Sequence, residues 1–294
     1  MDWTQPIDAY CERMGAGFWA EPLNAVSNLA FLVAAAAGFA LWRRSGGRDR
    51  PVCLLAGLVA VIGLGSFLFH TFANRWSSLA DVLPIALFIY AYFFLALHRL
   101  VGLRLGAAGL GTAAFLGASI LSEPLFQGLV GSSAGYVPAL LAMLGIGGYL
   151  VTTGHHAGPA VLTAGTVFAV SLSLRMADAP LCADWPLGTH FLWHVLNAVT
   201  LGLLLAAAVR GRRPAIDAAE RPHAEARRGR SSSSIGQDKK RPDASPEASG
   251  PGGPPPCKLM SGDGSPETDA CAQRAARRSL PCLTTTRASI GTRS

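Results

Sequence analysis

The chain has 294 residues, half of them hydrophobic and only 15% charged, and its mean hydropathy of +0.34 lies on the membrane side of ordinary globular composition. Residues 1–209 hold nine Arg, no Lys and nine Asp or Glu, so the whole net charge of +7 sits in residues 210–294. The basic character therefore belongs to the tail, and no nucleic-acid-binding module is present.

Residues 1–22 carry Asp2, Asp8, Glu12 and Glu21 ahead of the first apolar stretch. A cleavable signal peptide would have a positive segment there, so this region is expected to stay attached, as an extracytoplasmic segment. Asp8, Glu12 and Glu21, followed by Asn24 and Asn28, offer hard oxygen ligands suited to calcium. A plain set of outer-face acids fits the same spacing, and both readings stand at this point.

A bilayer core of roughly 30 Å needs about 20 apolar residues per helix. Such windows fall near 23–42, 52–70, 79–98, 105–122, 134–153, 157–175 and 189–209, which predicts an all-α, seven-helix membrane bundle over residues 23–210. Arg43, Arg44, Arg48 and Arg50 follow the first span, Arg99 and Arg104 the third, and Arg210, Arg212 and Arg213 the last. The alternate loops carry only Arg13, Arg75 and Arg175. The positive-inside bias then places the N-terminus outside and the C-terminus in the cytoplasm.

The tail, residues 211–294, is rich in Arg, Ser, Pro and Gly, with Ser231 to Ser234 and Pro254-Pro255-Pro256. It is predicted to be disordered, either solvated or touching anionic headgroups. Of six cysteines, Cys11 and Cys182 map to the outer side, Cys53 to the inner end of a helix, and Cys257, Cys271 and Cys282 to the tail. Only the first pair is placed where a disulfide could persist, and spacing leaves open whether the two are bridged or free.

Polar residues inside the apolar body carry the chemistry. Ser66 and His70 lie four apart and share a helix face at the outer end of the second span. A short loop returns the chain to Asp81, at the start of the third. His190 and His194 share a face at the outer start of the seventh, with Asn197 continuing it. A lone histidine in such a place is ordinarily a hydrogen-bonded packing residue. Three that converge with a carboxylate point to a metal, since unpartnered imidazoles are costly in hydrocarbon. Three His ligands leave a fourth tetrahedral position open, the pattern of a catalytic zinc. Such a zinc lowers the pKa of water to about 7 and polarises a carbonyl, with Asp81 placed to carry the proton. His98, His155 and His156 lie at the opposite ends of their spans and are read as interfacial.

Four blocks together resemble the alkaline ceramidases, within the seven-helix membrane hydrolase superfamily that also contains the adiponectin-receptor-like proteins. They are Asp8-Ala9-Tyr10-Cys11-Glu12 with Ala20 to Asn28; Gly65-Ser66-Phe67-Leu68-Phe69-His70 with Leu79 to Pro84; Ser122-Glu123-Pro124-Leu125-Phe126; and His190-Phe191-Leu192-Trp193-His194. The resemblance implies a zinc held by His70, His190 and His194, with Ser66 and Asp81 beside the reacting amide. It also implies a calcium near the N-terminus, taken by Asp8, Glu12 and Glu21 with backbone carbonyls around Tyr10, and it favours a Cys11–Cys182 bridge. This chain differs from the family's contiguous Asp-Trp-Cys-Glu block by one extra residue between Asp8 and Tyr10. It also lacks an Asn at the usual distance after Glu12; Asp2-Trp3 repeats the dipeptide without the Cys-Glu that should follow.

The expected function is a multi-pass amidase that cleaves the N-acyl bond of ceramide or a related N-acyl lipid, with its site toward the extracytoplasmic side. Asp81 would relay the proton and Ser66 hold the developing oxyanion. Two alternatives stay open: a metal-binding receptor or transporter without turnover, and a hydrolase of another lipid ester or amide. Acyl length and oligomeric state are not legible in the sequence.

Overall fold

A computed structural model describes residues 2–211. Apart from Gly211, the tail expected to be disordered lies outside the described residues. Within them all regular structure is helical: α1 (Pro22–Ser27), α2 (Leu29–Arg44), α3 (Arg50–Phe72), α4 (Arg75–Leu95), α5 (Leu105–Val130), α6 (Val137–Thr152), α7 (Gly158–Leu181) and α8 (His190–Arg210). A π-type turn, Ala96–Val101, prolongs α4, and a 3₁₀ turn, Gly131–Tyr136, joins α5 to α6.

Six runs are long and apolar enough to cross a membrane: Pro22–Arg44, Arg50–Phe72, Arg75–Val101, Leu105–Thr152, Gly158–Leu181 and His190–Arg210. The sequence reading counts seven. The difference is the run Leu105–Thr152, whose 48 residues are about twice the length of one crossing.

Helices pack in the lateral order α4, α3, α2, α8, α7, α6, with α5 against α4. The termini of α3 and α4 show how the chain turns at the end that will carry the site. Ala73 takes a left-handed conformation, φ 42°, and its N–H donates to Phe69 O, which ends α3. Asn74 then caps α4 in a reciprocal box with Ser77. Residues 3–7 lie along this turn: Ile7 N donates to Ala73 O at 2.8 Å and Trp76 N to Trp3 O at 3.1 Å. The N-terminal segment thus covers one end of the bundle, called here the capped end.

At the opposite end, Arg99 forks onto Asp49 at 2.6 and 2.8 Å, and Asp49 also caps α3 through Val52 N. The apolar core, with Phe31, Val59, Ile62 and Leu205, fills the space between α2, α3, α4 and α8.

Close approach of α3 and α4 rests on two residues. Pro84, inside α4, has no N–H, so the carbonyl of Ala80 loses its helical donor. That carbonyl faces Gly65 of α3, where an added Cβ would meet Ala80 C at 2.8 Å and Asp81 Cα at 3.3 Å. Only glycine lets the two backbones touch here, and Ser66 and Asp81 are brought side by side as a result.

Candidate metal centre

His70 closes α3 and the pair His190 and His194 opens α8, so two helix ends bring three buried imidazoles to the capped end. One ring nitrogen from each lies within 4.8 Å of the others. Hydrogen bonds decide which nitrogens face inward. The Nδ1 of His70 is 2.6 Å from Glu21 Oε2; an ionised carboxylate only accepts, so Nδ1 carries the hydrogen and Nε2 keeps its lone pair. Ser27 Oγ spends its only hydrogen on Asn24 O at 2.8 Å. It therefore accepts from His194 Nδ1, 2.7 Å away, and His194 also presents Nε2 as a free lone pair. His70 Nε2 and His190 Nδ1 are buried with no hydrogen-bond partner. The Nε2 lone pairs of His70 and His194, whose outer nitrogens are held by a carboxylate and a hydroxyl, and the orphaned Nδ1 of His190 form a donor set fit for a metal.

Asp81 Oδ1 is buried without a partner, and the Ser66 hydroxyl stands beside its carboxyl. The structure therefore brings Ser66, His70, Asp81, His190 and His194 to one place. Next to them lies an almost wholly apolar cavity, which Ile62, Ile85 and Asn197 enter one helical turn inward from Ser66, Asp81 and His194; Phe88, Tyr92 and Phe168 line it farther down.

The N-terminal acids expected to take calcium are engaged by protein groups or exposed. Asp8 is exposed. Both oxygens of Glu12 are occupied by Leu23 N and Asn24 N, at 2.6 and 2.7 Å, where they cap the first turn of α1. Glu21 accepts from Arg13 Nε at 2.5 Å, from His70 and from Asn24 Nδ2 at 3.1 Å. Burial opposes ionisation of Glu21, but the hydrogen bonds from His70, Arg13 and Asn24 outweigh it and hold the carboxyl below its usual range. The Tyr10 ring stacks on His190, centroids 3.6 Å apart, and the Tyr10 carbonyl accepts from Arg13 N at 3.2 Å. Among the described residues, Asp8, Glu12 and Glu21 are not grouped at one point: helix capping occupies Glu12, Arg13 and His70 occupy Glu21, and Asp8 is exposed.

The Cys11–Cys182 bridge that the resemblance favours is formed. Beside it Asp178, which carried no signal of its own in the sequence, is buried at the foot of α7. Its carboxylate accepts from Cys11 N at 3.0 Å, Thr189 N at 2.7 Å and His190 N at 2.9 Å, so it caps α8 from another helix and pins His190. Gly188, with φ 64°, leaves the space these groups need; a Cβ there would meet Cys11 Cβ at 2.9 Å. Asp178→Ala strands three backbone donors. The cost is about 3 kcal/mol, which should lower the thermal midpoint by about 10 °C; a midpoint within error of the parent would remove this capping role.

Arg175, read from sequence as an outer-loop residue, sits beside the site. Its guanidinium donates to Ser133 Oγ at 2.6 Å and Ser132 Oγ at 3.2 Å and stacks over the rings of Tyr136 and Trp193. Ser27 had no distinguishing signal beyond its place before Asn28, since its partner His194 is 167 residues away.

The family model described as Ceramidase matches residues 8–210, the stretch that holds every residue of this site. Comparison with curated proteins gives no match. The match covers well over half of the chain, and this protein belongs to the ceramidase family.

Proposed function

We propose that the chain is a zinc-dependent intramembrane amidase that cleaves the N-acyl bond of ceramide or a related N-acyl lipid to a fatty acid and a long-chain base. The observation that carries this is the histidine triad itself: three buried imidazoles, two of them with the Nε2 lone pair set free by Glu21 and Ser27, with Asp81 and Ser66 alongside. Family membership supports the amide and the lipid. Three imidazoles and an open fourth position suit zinc.

A zinc held there would supply Lewis acidity, polarising the amide carbonyl and making water nucleophilic near neutral pH. Asp81 takes the proton of the attacking water and returns it to the leaving amine nitrogen, so the C–N bond breaks without expelling an amide anion. Ser66 donates its hydroxyl hydrogen to the oxygen on which negative charge develops. The apolar cavity one turn inward accommodates a hydrocarbon chain and excludes water from it.

In this reading the 48-residue run Leu105–Thr152 crosses twice, giving seven spans. Support comes from the 3₁₀ break at Gly131–Tyr136 and from the different neighbours of its halves, α4 for α5 and α7 for α6. An N-terminus and capped end on the outside are supported by the charge pattern, since Arg43, Arg44, Arg50, Arg99 and Arg210 all lie at the opposite end.

The direct test incubates the purified chain in detergent with a panel of N-acyl lipids and follows free fatty acid. Release is expected, and a chelator should abolish it until zinc is returned. No release from any N-acyl lipid by the zinc-loaded protein would sink the proposal.

A further inference from the structure

The N-terminal acids that the resemblance assigns to calcium do not fit that ion, and the reason is a residue the sequence reading passed over. We infer that the guanidinium of Arg13 is the resident cation of this site and that the chain holds its N-terminal segment over the histidines without calcium. One side chain makes three connections. Arg13 Nε pairs with Glu21 Oε1, Nη1 donates to Gly15 O at 3.2 Å, and Nη2 donates to His70 O at 3.2 Å. It therefore ties the N-terminal loop, the carboxylate behind His70 and the end of α3 into one unit.

The charge count makes calcium superfluous. Glu21 is buried, with its negative charge met by Arg13 on one oxygen and by the His70 and Asn24 donors on the other. Both oxygens of Glu12 are taken by backbone N–H groups, and Asp8 faces solvent. Asn24 Oδ1 and Asn28 Oδ1 remain without donors. Two neutral amide oxygens with no free carboxylate do not hold calcium, which takes about six to eight oxygens with anionic charge among them. A dication would also have to share Glu21 with a guanidinium at contact distance, against direct repulsion.

Arg13 is thus a positioning residue. It fixes Glu21, and Glu21 fixes the tautomer and orientation of His70. The planar fork matters as well as the charge, because an ammonium cannot reach Glu21, Gly15 O and His70 O together.

The test uses the full chain, purified in detergent and loaded with zinc, with calcium and zinc read by elemental analysis and unfolding by thermal scan. The parent protein is expected to contain no calcium above the buffer blank, and added calcium chloride should leave its midpoint unmoved. Arg13→Gln leaves the buried Glu21 charge unpaired. The midpoint should drop on the order of 10 °C and zinc affinity should fall about tenfold or more. Arg13→Lys should recover part of both, which a role in backbone packing alone would not produce. Stoichiometric calcium in the parent, a midpoint that rises with calcium, or an Arg13→Gln protein with parental midpoint and zinc affinity would each overturn the inference. If Arg13→Gln fails to accumulate, the calcium content and calcium response of the parent still decide. None of these readouts uses fatty-acid release, so a failure of the proposed function leaves this inference standing, and the reverse holds too.

Discussion

The His190→Ala, His194→Ala double variant is expected to purify without zinc and without measurable hydrolysis. Both imidazoles sit on the first turn of α8, buried, within 4.8 Å of the ligand atom of His70. Removing them leaves one nitrogen, and a single imidazole cannot hold a divalent ion against water. The fold should tolerate the change, since Asp178 caps α8 through the backbone of Thr189 and His190 rather than through the side chains. The readout is zinc per chain by elemental analysis, with the thermal midpoint as the control for folding. A double variant that kept its full complement of zinc would place the metal elsewhere and defeat the assignment.

Asp81→Asn is expected to keep the zinc and lose turnover by about 10²–10⁴-fold, the usual scale of general acid–base assistance. Asn is close to Asp in size, so the contact of α3 and α4 at Gly65 and the neighbouring Ser66 are preserved. What changes is that a neutral amide cannot accept a proton. The loss should fall on kcat, because the carboxylate acts on the reacting water and nitrogen rather than on the chains of the lipid. Parental kcat in a zinc-replete Asp81→Asn protein would take Asp81 out of the mechanism.

Part of this site was legible because it is written at helical spacing. Ser66 with His70 and His190 with His194 recur four apart on single helices, and a polar residue in an apolar run stands out against its background. Asp81 was visible for the same reason, together with the short return from α3 to α4. The roles of Glu21 and Glu12 were not. Their composition and spacing suit calcium, yet Glu21 meets His70 across 49 residues and Glu12 caps the first turn of α1. Nothing local distinguishes a carboxylate that binds an ion from one that caps a helix or supports a histidine.

By itself the sequence determined that the body is a set of membrane-length helices, that most of its charge lies in the N-terminal segment, near helix ends and in the tail, and that three histidines and an aspartate share one level of the bundle. Those properties follow from local rules: hydrocarbon length sets the span, and the 3.6-residue period sets the shared face. Only the tertiary structure decided which nitrogens of His70 and His194 are free, that Arg13 pairs with Glu21 and reaches His70, and that Asp178 anchors both Cys11 and the start of α8. Most of these contacts join residues from 49 to 167 positions apart. Their existence depends on which helices pack together and how closely, as Gly65 and Gly188 permit, and no periodicity within a single segment encodes that.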